Sequence, residues 1–139
     1  MNSSEQSAHL QRVELKGATL EITSKGVLVV EVAKGFKPTP EEVKEGCLIM
    51  RRMMNRPRPA LFDIRGIAYL DFEARSMGHA ILKDVKFTAV ALVIHAPITR
   101  LISKMLFSFT RRPYPREVFY NRNDALQWLQ QTDETKQTA

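Results

Sequence analysis

Apolar and polar positions alternate over Thr19–Ser24, with Leu20 and Ile22 on one side and Thr19, Glu21 and Thr23 on the other, the period of a half-exposed strand. Lys25-Gly26 supplies a turn, and Val27–Ala33 (VLVVEVA) is β-branched and almost wholly apolar. The pair predicts a hairpin whose second strand is the more buried. Thr39-Pro40-Glu41-Glu42 then carries the marks of a helix start: a threonine cap, a proline at the first position and a glutamate at the third. Val43, Cys47, Met50 and Met54 give this helix an apolar stripe, and the prolines of NRPRP end it. Ala60–Arg65 is a short strand, apolar until Asp63, and Gly66–Leu70 a loop. Asp71 is placed to cap a second helix with Glu73 in its first turn and Ala74, Met77, Ile81 and Val85 on its inner face. The octet Phe87–Ile94 has the unbroken apolar run of a strand covered on both faces.

From Pro97 onward, Ile98, Leu101, Ile102, Met105, Leu106 and Phe109 fall on one helical face. Glu117–Tyr120 is a last short strand, and Asn123 is placed to cap a closing helix with Leu126, Trp128 and Leu129. The order ββαβαβαβα predicts an α/β fold: a mixed, largely parallel sheet of about five strands with four helices packed on it. Residues 1–11 and 132–139 are polar and weakly patterned, so they are expected to be tails around a single domain at 12–131.

The chain has 139 residues, enough for one core that is stable without disulfides. Its one cysteine, Cys47, makes no internal bridge, and the polar start has no secretory pattern, which together point to a cytoplasmic protein. No apolar run reaches the ~20 residues of a membrane span. Six dispersed glycines form no phosphate-binding or dinucleotide loop, and His9, His79 and His95 lack metal-ligand spacing, so neither cofactor nor metal is expected. One enzymatic arrangement can be drawn, with Asp63 orienting His95 as a general base from a neighbouring strand end. No nucleophile accompanies the pair, and the favoured roles are structural: Asp63 holds loop amides and His95 precedes a helix.

The segment ALFDIRGIAYLDFEARSMGHAILKD, with TAVALVIH, APITRLISKML and REVFYNRNDALQWL after it, resembles the STAS domain of anti-sigma-factor antagonists, the SpoIIAA-like fold, over about residues 18–131. It is also similar to a smaller bacterial group of uncharacterised SpoIIAA-like proteins with Ala-Arg after the aspartate and Tyr-Pro before the last strand, here Ala74-Arg75 and Tyr114-Pro115. The resemblance implies a non-enzymatic module that binds a protein partner near the start of the second helix. It departs at one point. Where regulatory STAS domains carry a phosphoacceptor serine after the aspartate, this chain has Phe72 and Glu73 behind Asp71, so phosphorylation control is not expected to carry over. Ser76, one turn on, is expected on the helix face.

The expected partner or ligand surface is thus Asp63, Arg65, Tyr69, Asp71, Phe72, Arg75 and His95, with Phe72 favoured as a staple packing the loop onto its helix. A small-molecule or lipid-binding role is the alternative, with Phe36, Tyr69 and Phe72 lining a pocket.

Net charge is +6, unevenly placed. Residues 51–58 hold four arginines and no acid, and 96–122 hold six basic residues against Glu117, so these two segments carry +9 and the remainder −3. Arg51, Arg52, Arg56, Arg58, Arg111, Arg112 and Arg116 are expected at the pole where the parallel strands begin. Offsetting helix dipoles is the favoured role of that pole, above binding nucleic acid or an anionic membrane. Phe107 falls off its helix's apolar stripe and marks a protein contact, for which a homodimer is the simplest partner. Thr19–Ser24, as an exposed edge strand, offers a second contact by sheet addition.

Overall fold

A computed structural model describes residues 12–68, 71–95 and 114–138. Its strands are β1 (Arg12–Leu15), β2 (Ala18–Ile22), β3 (Leu28–Val32), β4 (Arg58–Asp63), β5 (Phe87–Val93) and β6 (Arg116–Phe119). Its helices are α1 (Pro40–Met53), after β3, α2 (Phe72–Leu82), after β4, and α3 (Arg122–Thr138), after β6. The strands form one sheet in sequence order, antiparallel through β1, β2 and β3 and parallel from β3 to β6.

That topology places the helices. The crossovers β3-α1-β4 and β4-α2-β5 both step the same way along the sheet, and right-handedness puts both helices on one face. There Met50 of α1 packs with Leu20, Ile22, Leu28, Val30, Ala60 and Val90. On the opposite face Ala125 and Leu129 of α3 cover Val29, Leu61, Ala89, Ala91 and Val93. The central strands are therefore apolar on both faces, and each fully buried aliphatic side chain contributes about 1.5–3 kcal/mol. Cys47 lies buried under α1, where desolvation pushes its thiol up to about 11 and leaves it a packing residue.

The capping box at Thr39 is present: the threonine hydroxyl accepts from Glu42 N at 3.1 Å and the Glu42 carboxylate accepts from Thr39 N at 3.0 Å.

Several boundaries differ from the sequence reading, each for a physical reason. The sheet has six strands, because Arg12–Leu15 pairs with Ala18–Glu21 across a tight turn at Gly17. Thr19–Ser24 is therefore paired on both sides and is no edge for sheet addition. β4 starts at Arg58 and takes in Pro59, whose missing N–H falls where the register with β5 shifts. The cap of α3 is Asn121, which accepts from Asp124 N at 2.8 Å, in place of Asn123. That helix continues past residue 131 to Thr138, and the Thr132 hydroxyl turns back onto Trp128 O at 2.8 Å. The helix expected from Pro97, residues 1–11 and Ala139 lie outside the described residues.

Candidate functional site

At the carboxyl ends of β3 and β4, the two following loops are bound to each other. Past the end of β3, Phe36 forms a bridge with Ile67, Gly35 N donates to Gly66 O at 2.7 Å, and Ala68 N donates to Phe36 O at 2.9 Å. Gly66 is required by this approach, since a side chain there would press on the carbonyls of Val32 and Ala33. The Phe36 ring lies against Gly17, in the space a side chain on that residue would fill. The loop leading to α2 is thereby fixed against β3.

Asp63 and Arg65 come together on the α3 face of that end. Arg65 grips the carboxylate with two hydrogen bonds, Nε to Oδ1 at 2.9 Å and Nη2 to Oδ2 at 2.7 Å, and its backbone N–H donates to Oδ1 at 3.3 Å. Arg122, in the first turn of α3, reaches Asp63 Oδ2 at 3.5 Å and Glu31 Oε2 at 3.1 Å. Glu31 is the register neighbour of Asp63 on β3, so two carboxylates and two guanidiniums form a neutral quartet joining β3, β4 and α3. The Asp63 side chain is 4% exposed and both arginines 36%. Burial pushes the Asp63 carboxyl up, but the Arg65 hydrogen bonds and the charges of Arg65 and Arg122 outweigh it and hold the group below its ordinary range.

His95 follows β5 and is exposed, with no hydrogen bond to Asp63, whose carboxylate is occupied by the arginines. The acid-base pairing of Asp63 with His95 is thus not formed.

At the start of α2, Asp71 caps the helix by accepting from Ala74 N at 2.7 Å. Phe72, next in the chain, is 76% exposed, so it is not a staple. The Arg75 guanidinium, one turn on, stands 5.9 Å from its ring centre. Ser76 is exposed on the helix face. Phe36 is held on Gly17, while Phe72 faces solvent. Tyr69 lies outside the described residues.

At the opposite pole the predicted arginines separate. Arg51 pairs with Asp84 at 2.9 Å, and Arg52 and Arg56 are exposed. Arg58, expected with them at the basic pole, is buried at the start of β4 and donates to Gly26 O at 3.3 Å and Asn55 Oδ1 at 2.9 Å. Arg116 opens β6, while Arg111, Arg112 and Phe107 lie outside the described residues.

Sequence reasoning missed Glu31 and Arg122. Glu31 had a visible signal, an acid interrupting an otherwise apolar strand. Arg122 had none, because its role depends on where α3 crosses the sheet. Among the described residues no three His, Cys, Asp or Glu side chains gather where they could hold a metal ion, and no helix is long and apolar enough to cross a membrane.

The mixed sheet, with two helices on one face and the last on the other, is the SpoIIAA-like arrangement. A solved structure of an uncharacterised protein of the DUF3478 family with a SpoIIAA-like fold, from Shewanella loihica PV-4, aligns over 81% of this chain and 91% of its own with a TM-score of 0.64 at 18% identity. A second, a protein of unknown function from Arthrobacter sp. FB24, is 20% identical over 84% of this chain and 95% of its own, with a TM-score of 0.30. No curated protein matches the sequence. Residues 20–133 match the model of a domain of unknown function, DUF7793, and the chain belongs to that family.

Proposed function

We propose that the protein is a non-enzymatic, cytoplasmic interaction module whose partner surface is the start of α2, formed by Asp71, Phe72 and Arg75. The observation that carries this reading is the exposure of Phe72. A phenylalanine left 76% exposed forgoes most of the ~1.5–3 kcal/mol that burial returns, and a bound protein would recover it. Its backbone is already ordered by the Asp71 cap, and Arg75 over the ring adds a polar rim to an apolar centre, the composition of an interaction hot spot. Asp63 and Arg65 support the loop from behind without offering free charge.

The test is capture from the native host with two matched baits, the full chain and its Phe72→Ser variant. The reading expects a protein retained by the first and lost from the second; identical retained sets would contradict it. Sedimentation velocity on the same two proteins separates a homodimer from a different partner, since self-association through this surface must also vanish in Phe72→Ser.

The small-molecule or lipid-binding alternative has less support, because it needs Phe72 to line a cavity and that side chain is 76% exposed. Nucleic-acid or membrane binding by the whole basic pole is weakened by the engagement of Arg51 with Asp84 and the burial of Arg58.

A further inference from the structure

Arg58 is the one described arginine that is buried, and it has no carboxylate partner. It is 7% exposed, and its two hydrogen bonds go to neutral oxygens, Gly26 O and Asn55 Oδ1. These use two of the five N–H groups of a guanidinium, and the buried Nε–H has no partner. Asp84, an acid at this pole, is engaged by Arg51.

A second cation stands beside it. The point where a side chain on Gly26 would begin lies 3.5 Å from Arg56 Nη2 and 3.7 Å from Arg58 Nη1, so both guanidiniums converge on one backbone turn. Lys25, exposed on that turn, adds a third positive charge. Burial and the repulsion from Arg56 pull the Arg58 pKa down, the direction expected of a cation without a counter-charge. Leaving a charge buried and unpaired is costly, and two forked donors around a side-chain-free glycine suit a tetrahedral oxyanion.

We propose that Arg58 and Arg56, with the Gly26 turn between them, form a binding site for a phosphate group. The oxyanion takes the free N–H groups of Arg58 on its inner side and Arg56 on its outer side, and Asn55 keeps Arg58 aligned. This site is at the opposite end of the sheet from Phe72, and the two stand or fall separately.

Phosphate could come from a small soluble compound or from a lipid headgroup, and two arms of one experiment distinguish them. In the first, the full chain is titrated calorimetrically with inorganic phosphate, with sodium chloride at matched ionic strength as the blank. In the second, it is sedimented with phosphatidylcholine vesicles with and without phosphatidic acid. Each arm is repeated with Arg56→Gln, Arg58→Gln and Arg52→Gln. A saturable response in either arm is expected, weakened at least tenfold by Arg56→Gln and Arg58→Gln and unchanged by Arg52→Gln, an exposed arginine of the same pole. Arg56 is exposed, so its variant remains informative if Arg58→Gln fails to fold. No response in both arms, a response that survives Arg56→Gln, or one that falls equally with Arg52→Gln overturns the site.

Discussion

The two ends of the parallel strands handle buried charge in opposite ways. At the carboxyl end, Asp63 is buried but enclosed by Arg65 and Arg122, with Glu31 completing a neutral set. At the amino end, Arg58 is buried against neutral oxygens only, with Arg56 adding to its charge. A charge satisfied from within the fold serves the fold, holding α3 to β3 and β4. A charge left unsatisfied spends folding energy on something else, and an incoming anion is what it lacks. The comparison also separates the two surfaces: the carboxyl end has its buried charges paired and shows an exposed apolar residue, Phe72, whereas the amino end shows exposed positive charge at Arg52 and Arg56.

The variant that most strongly tests the closed end is Asp63→Asn. It leaves Arg65 without its carboxylate and Arg122 with Glu31 alone, and urea unfolding should show a loss of about 2–3 kcal/mol, below the cost of breaking a fully buried pair because both arginines are partly solvated. A loss under about 0.5 kcal/mol would mean the quartet contributes nothing beyond a surface pair.

The pH dependence follows from the same group. The native carboxyl sits below its ordinary value of 3.8, so its contribution is fully present above that value and is lost as pH falls through the lower native one. The urea midpoint of the wild type should therefore decline below about pH 4, and the Asp63→Asn curve should decline less over that interval.

Gly66→Ala, which forces a methyl against the Val32 and Ala33 carbonyls, should cost about 1–3 kcal/mol and raise amide exchange at Gly35 and Ala68 first. Thr39→Ala, which removes the capping box of α1, should lower stability by about 1 kcal/mol. Smallest of all, Phe72→Ser should change the unfolding free energy by no more than about 0.5 kcal/mol, as expected of a side chain that packs little. A larger loss would make Phe72 part of the fold and remove the argument for a partner.

Much of the architecture was legible in the sequence because its signals are local. Apolar runs marked β3 and β5, Thr39 and Asp71 marked two helix starts, and the SpoIIAA-like resemblance followed from their spacing. Short elements were not legible. Four residues of β1 and the inclusion of Pro59 in β4 depend on pairing partners far along the chain, which outweigh local preference. The site divided similarly. Asp71 and Phe72 were visible as a helix start with an odd residue, but the exposure of Phe72 was not, because a staple and a free aromatic have the same sequence. Asp63 and Arg65 stood out as charges ending an apolar strand, while their third partner, Arg122, comes from a helix 57 positions beyond Arg65. The arginines of 51–58 looked alike in sequence, and only the fold divides them into one paired with Asp84, two exposed and one buried.

The contrast between a closed and an open end is tested most directly by urea unfolding of Arg58→Met beside Asp63→Asn, in chloride buffer without phosphate. Replacing an uncompensated buried cation by an apolar side chain of similar length should leave stability within about 1 kcal/mol of the wild type or raise it, while Asp63→Asn falls by about 2–3 kcal/mol. If Arg58→Met loses as much as Asp63→Asn, Arg58 is already satisfied by the fold, and the two ends are alike.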